Sequence, residues 1–379
     1  MRRTGGDEDL LIASTLSADG GLPVAVGRLA GLLTQYGRHV VVVGPGVGPD
    51  CTAITESAAE IVRLPASAGL TSTLRAVQAC RAIVYQAAVL GAARPRPIVH
   101  IHGIWTPPVV AAARAARRTG IPYVISPHGM LLKPAMRKSH WRKRLVLAME
   151  MRQALAQARA VHCASDEEAE AVRHLAPAAH TRIIPFGVDV AQSTVTQPVN
   201  RPKIAGYLGR LTAIKNLETL VAAWADVRPA GWQLRIAGPD CDGTRARVQE
   251  MVRRLELNGI VSVDPPVAAQ AVPKFLSSLA VFIQPSLSEN FGMVVAEALA
   301  ASTPVIATTG TPWHALADRG CGWCVAPSQA ALAAAIRAAT SASTDELAHM
   351  GRRGTDWIAA EYSWPVIAPR FLRELYEIA

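Results

Sequence analysis

The sequence predicts an α/β protein made of two doubly wound domains, each built on a parallel sheet. Three observations carry this. Short β-branched runs alternate with longer helical patterns through almost all of the 379 residues. Runs such as Val40-Val41-Val42-Val43 are apolar without alternation, as strands covered on both faces must be. A polar stretch without period, Val188 to Pro202, divides the chain into halves of similar size.

Strands are expected in the first half at Leu10–Ala13, His39–Val43, Ile98–Ile101, Tyr123–Ser126, Ala160–Ala164 and Arg182–Pro185. A second series runs Ile204–Leu208, Gln233–Ala237, Ile260–Val263, Val281–Gln284, Pro304–Ala307 and Trp323–Val325. Helix-like stretches between them include Val24–Tyr36, Val109–Arg118, Leu217–Val227 and Thr244–Leu255. The first domain is placed at residues 1–190 and the second at 200–362, followed by an amphipathic helix from Trp364. Ligands of open parallel sheets bind beyond the carboxyl ends of the strands, so chemistry is sought in the loops that follow strands. Two such sheets facing each other would share one cleft.

Half of the residues are apolar and 18% are charged, enough for buried cores and too apolar for wholesale disorder. Aromatics are 5%, so mostly aliphatic cores are expected. No run approaches the roughly 18–20 uninterrupted apolar residues of a spanning helix. Asp7-Glu8-Asp9 stand where a signal peptide needs its apolar stretch, so a soluble cytoplasmic protein is expected. Six scattered cysteines do not make a disulfide framework, and Cys321-Gly-Trp-Cys324 reads as two packed thiols because no second pair exists to complete a zinc site. The net charge of +10 is uneven: residues 1–200 carry +9 and residues 201–379 carry +1. Basic charge suits nucleic acid, an anionic membrane face or a phosphorylated ligand, and composition does not choose among them.

Two motifs stand out. In Pro285-Ser286-Leu287-Ser288-Glu289-Asn290-Phe291-Gly292-Met293-Val294-Val295-Ala296-Glu297, Glu289 follows a strand and Gly292 opens a helix. First-turn N–H groups at Phe291, Gly292 and Met293 form a ready anion site, and Glu297 is expected about 9 Å along the helix axis. Two carboxylates so spaced, with an anion between them, match a nucleoside-diphosphate sugar: sugar hydroxyls, diphosphate, ribose hydroxyls. The alternative is one acid favouring the helix dipole and one surface acid. The second motif is Gly209-Arg210-Leu211-Thr212-Ala213-Ile214-Lys215, on a strand-to-helix loop. Two cations there can neutralise a diphosphate, each contact worth roughly 1.5–3 kcal/mol, or can be two solvated loop cations.

Glu289 and Glu297, with seven residues between them in Ser-Glu-Asn-Phe-Gly-Met-Val-Val-Ala-Glu-Ala, resemble the E-x7-E signature of retaining GT-B glycosyltransferases of family 4. Gly209-Arg210-Leu211 with Lys215 resembles that family's donor-phosphate clamp. Ile183-Ile184-Pro185-Phe186-Gly187-Val188-Asp189, Pro304-Val305-Ile306-Ala307 and Gly20-Gly21 are similar to further family segments. The resemblance implies a GT-B fold, two Rossmann-like domains facing an interdomain cleft, with the terminal helix crossing back to the first domain. It implies that Glu289 binds the donor sugar's hydroxyls, Glu297 the ribose, and Arg210 and Lys215 the diphosphate. Asn290, Phe291, Gly292 and Met293 would offer backbone amides, Gly20 and Gly21 a close backbone approach, and His128 a hydrogen bond to the sugar. Candidate catalytic residues are thus Glu289, His128, Arg210 and Lys215. Phe186 departs from the family, where many relatives have Asn.

In this family the leaving diphosphate oxygen is thought to take the acceptor's proton on one face of the sugar, so positioning and charge stabilisation are the protein's share. A UDP-, GDP- or ADP-sugar donor is implied, with a glycan or lipid-linked glycan acceptor and cell-surface polysaccharide assembly as the setting. No cofactor and no metal are expected. In Asp240-Cys-Asp242, Asp242-Gly243 reads as the N-cap of the next helix rather than part of a metal site, and Gly44-Pro-Gly46-Val-Gly48 reads as a plain loop. Arg137-Lys138-Ser-His140-Trp141-Arg142-Lys143-Arg144 suits either peripheral docking on an anionic bilayer or a solvated basic face of the helix-like run Leu131–Ala158. The competing readings are a nucleotide-sugar epimerase or sugar phosphorylase on a similar fold, and a basic nucleic-acid-binding module. Scarce aromatics and the near-neutral second half argue against nucleic acid.

Overall fold

The structure, a computed structural model, describes residues 8–16, 21–46, 52–65, 69–90, 97–137, 146, 150–190 and 201–377. The chain divides into two compact units, one of residues 1–185 with Ala368–Ala379, the other Phe186–Ile367.

The first unit carries a seven-stranded sheet of β1 (Glu8–Ala13), β2 (His39–Pro45), β3 (Glu60–Leu64), β4 (Val99–His102), β5 (Tyr123–Ser126), β6 (Ala160–Cys163) and β7 (Thr181–Ile183). Its order is β3-β2-β1-β4-β5-β6-β7 and its pairings are parallel. The second holds β8 (Ile204–Leu208), β9 (Gln233–Ala237), β10 (Val261–Asp264), β11 (Val281–Gln284), β12 (Val305–Thr308) and β13 (Gly322–Val325), in the parallel order β10-β9-β8-β11-β12-β13. Strand order reverses between β1 and β4 and again between β8 and β11. The loops leaving those four strands flank a crevice at each sheet's carboxyl edge.

Burial explains the strands. Val40 to Val43 are all buried, as are all four residues of β4, β5, β6, β11 and β12. Helix Pro107–Thr119 begins on proline, ends at Gly120 in the left-handed region (φ 68°), and buries Ala112, Ala113 and Ala116, whose small side chains allow close packing. The first core is aliphatic, around Leu10, Ile12, Val41, Val99, Ile101 and Ile125. The second departs from the aliphatic expectation. Besides Trp224 and Tyr207 in its sheet core, it gathers Phe186, Phe291, Trp313, Trp357 and Tyr362 into a chain of ring contacts with centroids 5.2–5.9 Å apart.

Several expected elements shift. β3 and helix Leu70–Leu90 were not among the expected elements; β3 is an edge strand with only Leu64 buried, so its pattern is weak. β4 extends to His102, one residue beyond the expected end. The run Leu131–Ala158 holds helices Lys133–Arg137 and Arg152–Gln157, and the basic stretch beyond Arg137 lies outside the described residues. Among the described residues, no helix is long and apolar enough to cross a membrane.

From Ala368 the C-terminal segment belongs to the first unit, through the end of helix Trp364–Phe371 and a wider turn, Leu372–Tyr376. A buried polar chain fixes it. His162 Nε2 lies 2.8 Å from the carbonyl of Ile184 and must donate, so its Nδ1 accepts from Ser126 Oγ at 2.8 Å. Ser126 Oγ then accepts from His100 Nε2 at 2.8 Å, and His100 Nδ1 accepts from the Tyr376 hydroxyl at 2.6 Å. Each proton has one consistent place, provided both imidazoles are neutral. Burial, with repulsion from neighbouring histidines, holds His100 well below the usual histidine value of 6.5, and burial draws His162 down to about 4.

This gives a pH dependence with a definite sign. Below pH 6.5 the unfolded chain takes up protons that the folded chain refuses, so stability is full above that value and falls as the pH drops toward about 4. The slope is at most about 1.4 kcal/mol per histidine per pH unit. A melting temperature that drops between pH 7 and pH 5 is expected; a level one contradicts the neutral chain.

Candidate functional site

In the second unit, the two crevice strands β8 and β11 deliver both motifs to one edge. Leu208 leads through Gly209 to Arg210 and the short turn Ala213–Lys215. Gln284 leads through Pro285 to Glu289 and helix Met293–Ala300. The loops are stitched together by backbone. Leu287 N–H donates to Ile214 O at 2.8 Å and Glu289 N–H to Gly310 O at 2.7 Å, so Glu289 is gripped between the loops after β8 and β12. Asn216, at φ 57°, sends its amide to Pro285 O (3.1 Å) and Pro327 O (3.3 Å). Gly310 cannot be larger, because a Cβ would stand 2.5 Å from Ser286 O.

The carboxylate of Glu289 is held by one oxygen. Oε1 accepts from Lys215 Nζ, from Gln284 Nε2 at 2.5 Å and from Ser286 Oγ at 2.8 Å. Both members of the ion pair are only 12% exposed, and Gln284 and Ser286 are buried. Oε2 has no partner among the described residues, so the fixed carboxylate keeps a whole oxygen for an incoming hydroxyl. Lys215, with three N–H bonds, can hold Glu289 and still offer donors elsewhere.

Around this pair the edge carries several unpaired donors. Among the described residues, the backbone N–H groups of Phe291, Gly292 and Met293 make no hydrogen bond within the protein. Gly292 sits at φ 77°, where a side chain would be strained, and a Cβ there would stand 3.4 Å from Trp313 Nε1. That indole donates to Phe291 O at 2.6 Å, fixing the turn from beneath. Arg210 is exposed, its guanidinium without a partner among the described residues, while its carbonyl accepts from the Tyr207 hydroxyl at 2.9 Å. Burial, and then Glu289, push the Tyr207 phenol well above its usual value, so it stays a neutral donor.

Glu297 is the fifth residue of its helix, about 6 Å along the axis from Met293 rather than the expected 9 Å, because the helix begins at Met293 and not at Gly292. At four residues' spacing the two share one partly exposed face. Of the expected Asp242-Gly243 cap, the cap position itself falls on Gly243, in the left-handed region, directly after Asp242. The Asp242 carboxylate accepts from Ala213 N–H at 3.0 Å and Thr244 Oγ1 at 2.5 Å, bracing the Arg210–Lys215 loop. Among the described residues, no group of three or more His, Cys, Asp or Glu is arranged to hold a metal ion.

The first unit's edge holds the remaining candidates. Gly20 lies outside the described residues; Gly21 opens helix Gly21–Gln35 with nothing within 4 Å of a built Cβ. His128 follows β5 in the left-handed region (φ 53°), its Nε2 3.0 Å from His102 Nδ1. Burial draws it down to about 3, so it is neutral.

Both halves of the chain match known family models. The model for "Glycosyl transferases group 1" matches residues 191–357, and that for "Glycosyl transferase 4-like domain" matches residues 20–187. The chain belongs to the group 1 glycosyltransferases. This glycosyltransferase is 31% identical over 165 residues to a D-inositol 3-phosphate glycosyltransferase of Pseudarthrobacter chlorophenolicus, a match spanning 40% of the chain and 39% of that relative. To the GDP-mannose:cellobiosyl-diphosphopolyprenol alpha-mannosyltransferase of Xanthomonas campestris it is 25% identical over 330 residues, 85% of each chain. The crystal structure of Anabaena HepE in complex with UDP and glucose superposes with a TM-score of 0.80 at 18% identity, over 98% of this chain and 100% of that one. The two Rossmann-like units are those of the GT-B fold.

Sequence reasoning missed Gln284, Ser286 and Asn216, and gave no role to Phe186. Only Ser286 and Gln284, at a strand's carboxyl end beside Glu289, offered a positional signal. Phe186 packs edge-on against Phe291, 5.9 Å between centroids, beneath the Glu289 turn.

The Lys215–Glu289 pair makes a testable demand on stability. Lys215→Met leaves a largely buried carboxylate with neutral donors alone and is expected to cost about 1–3 kcal/mol. Adding Glu289→Gln should recover part of that in urea unfolding; purely additive losses would show that the two side chains do not interact.

Proposed function

We propose that this protein transfers a hexose-type sugar from a nucleoside diphosphate sugar, with retention of anomeric configuration, to a glycan or lipid-linked glycan acceptor. The observation that carries the reading is Glu289, anchored through Oε1 by Lys215, Gln284 and Ser286, beside the open amides of Phe291, the cap residue Gly292 and Met293, and the guanidinium of Arg210, unpaired among the described residues. In this reading Glu289 Oε2 accepts hydroxyls of the sugar and Glu297 those of the ribose. Arg210, Lys215 and the amides of Asn290, Phe291, Gly292 and Met293 receive the diphosphate. Relatives named for transfer to inositol 3-phosphate and to a diphosphopolyprenol, and a structural neighbour solved with UDP and glucose, support the donor class and a phosphorylated or lipid-linked acceptor.

Catalysis follows from charge. As the bond from sugar to diphosphate breaks, negative charge grows on the leaving oxygen, and Arg210 and Lys215 meet it with donors fixed beforehand. The leaving oxygen takes the acceptor's proton on the face from which it departs, which accounts for retention without a protein nucleophile. The cations and helix amides supply the neutralising charge, so the reading asks for no metal or cofactor. His128, being neutral, serves as a hydrogen-bond partner of the sugar rather than a general base, and Gly20 and Gly21 let backbone approach the substrate. We place the reaction in the cytoplasm, in cell-surface polysaccharide assembly, with Arg137–Arg144 docking on anionic lipid; the cationic run around Trp141 supports that contact.

A thermal-shift panel of UDP-, GDP- and ADP-sugars tests the donor class. One nucleotide should stabilise the protein, by about 2.7 kcal/mol at a hundredfold excess over its Kd, and Arg210→Ala should abolish the shift. With that donor, Glu289→Gln should lose about 100-fold or more in turnover, and NMR of the product should show the donor's anomeric configuration. Sugar conversion without any acceptor would point to an epimerase, and dependence on inorganic phosphate to a phosphorylase; either result sinks the proposal.

A further inference from the structure

His102 ends β4 at the first unit's crevice, paired in register with Ser126 of β5. Two residues beyond Ser126, the chain reverses through His128 (φ 53°) and Gly129 (φ 74°), consecutive left-handed residues. For histidine that conformation is strained, on the order of 1 kcal/mol. It persists because the turn is held from several sides. Gly129 N–H donates to the carboxylate of Glu168, a buried acid whose other oxygen accepts from Ala164 N–H at 2.9 Å. Met130 N–H closes on Pro127 O at 3.2 Å. The reversal brings the His128 ring back to the end of β4, edge to edge with His102, centroids 5.2 Å apart and Nε2 3.0 Å from His102 Nδ1.

The proton in that bond can be assigned. His102 is buried, and its Nε2 has no hydrogen-bond partner among the described residues. An unpaired buried N–H is costlier and rarer than an unpaired acceptor. His102 therefore carries its proton on Nδ1 and donates to His128 Nε2. His100, stacked beneath at 4.2 Å and tied to Ser126 and Tyr376, holds the His102 ring in plane. Neutral His128, with Nε2 occupied as an acceptor, has its proton on Nδ1.

We propose that His102 is a positioning residue for sugar transfer: it selects the Nδ1–H tautomer of His128 and fixes that ring in its left-handed turn. The inference rests on the reading that His128 hydrogen-bonds the sugar. His102 touches no substrate in this scheme and acts through His128 alone. Asparagine can place an amide N–H where His102 Nδ1 lies, whereas glutamine reaches only the Nε2 position and phenylalanine keeps the ring without a donor.

The test uses the full chain and the nucleotide sugar that stabilises it most, with its turnover as the kinetic readout and long-range 1H–15N correlation of the histidine rings as the structural one. His102→Asn should keep the Nδ1–H signature of His128 and near-normal kcat. His102→Gln and His102→Phe should lose that signature and about 10- to 100-fold in kcat, with the KM for the donor within about twofold, because nucleotide contacts lie elsewhere. In a His128→Ala background, His102→Phe should cost nothing further. An additive loss there, or a rescue by Gln instead of Asn, overturns the positioning role. Normal turnover by His128→Ala itself removes the underlying reading of His128, and the role of His102 with it. Melting temperatures identify any variant that loses activity by unfolding, and the Asn variant, closest in shape, then decides through its ring signature.

Discussion

One carboxylate organises the second unit's edge. Glu289 is tied down by Lys215 from the loop after β8 and by Gln284 and Ser286 from its own strand end, all on a single oxygen. The arrangement spends one half of the carboxylate on rigidity and leaves the other without a partner among the described residues. It also couples two loops far apart in sequence, so the cation and the acid cannot drift independently. A charge pair this buried contributes little net stability; in the proposed reading its value is that charge and direction are set before a substrate arrives.

Everything beneath that pair serves to hold it still. Parallel strands β8 and β11 are neighbours because the sheet order reverses there, and this alone brings residues 210–215 and 284–292 together. Backbone bonds to Ile214 and Gly310 then grip the Glu289 turn on both sides. Below it, Trp313 holds the carbonyl of Phe291, and Phe186, Trp357 and Tyr362 complete an aromatic floor. A protein with few aromatic residues concentrates them where stiffness matters. The first unit solves the same problem with imidazoles, locking β4, β5, β6 and the C-terminal segment through protons that have one consistent placement.

Much of this was legible in the chain. Apolar runs without alternation gave the parallel sheets, and turn residues after strands gave the loops that carry Arg210, Lys215 and Glu289. Edge strand β3 was not legible, because half-exposed residues blur the pattern that buried strands make plain. Nor were the partners of Glu289, since Gln284 and Ser286 matter through a three-dimensional convergence that spacing does not encode. The aromatic floor joins Phe186 to Tyr362 across the whole second unit, and the tautomers of His100, His102 and His162 depend on neighbours from other strands. Long-range geometry of this kind leaves no local signature in sequence.

A crystal structure with a nucleoside diphosphate bound bears most directly on the central assignment. The phosphates should lie within hydrogen-bonding distance of Arg210, Lys215 Nζ and the amides of residues 291–293, with Glu289 still gripped through Oε1 and the ribose beside Glu297. A diphosphate lodged away from Arg210, Lys215 and Glu297 would contradict it.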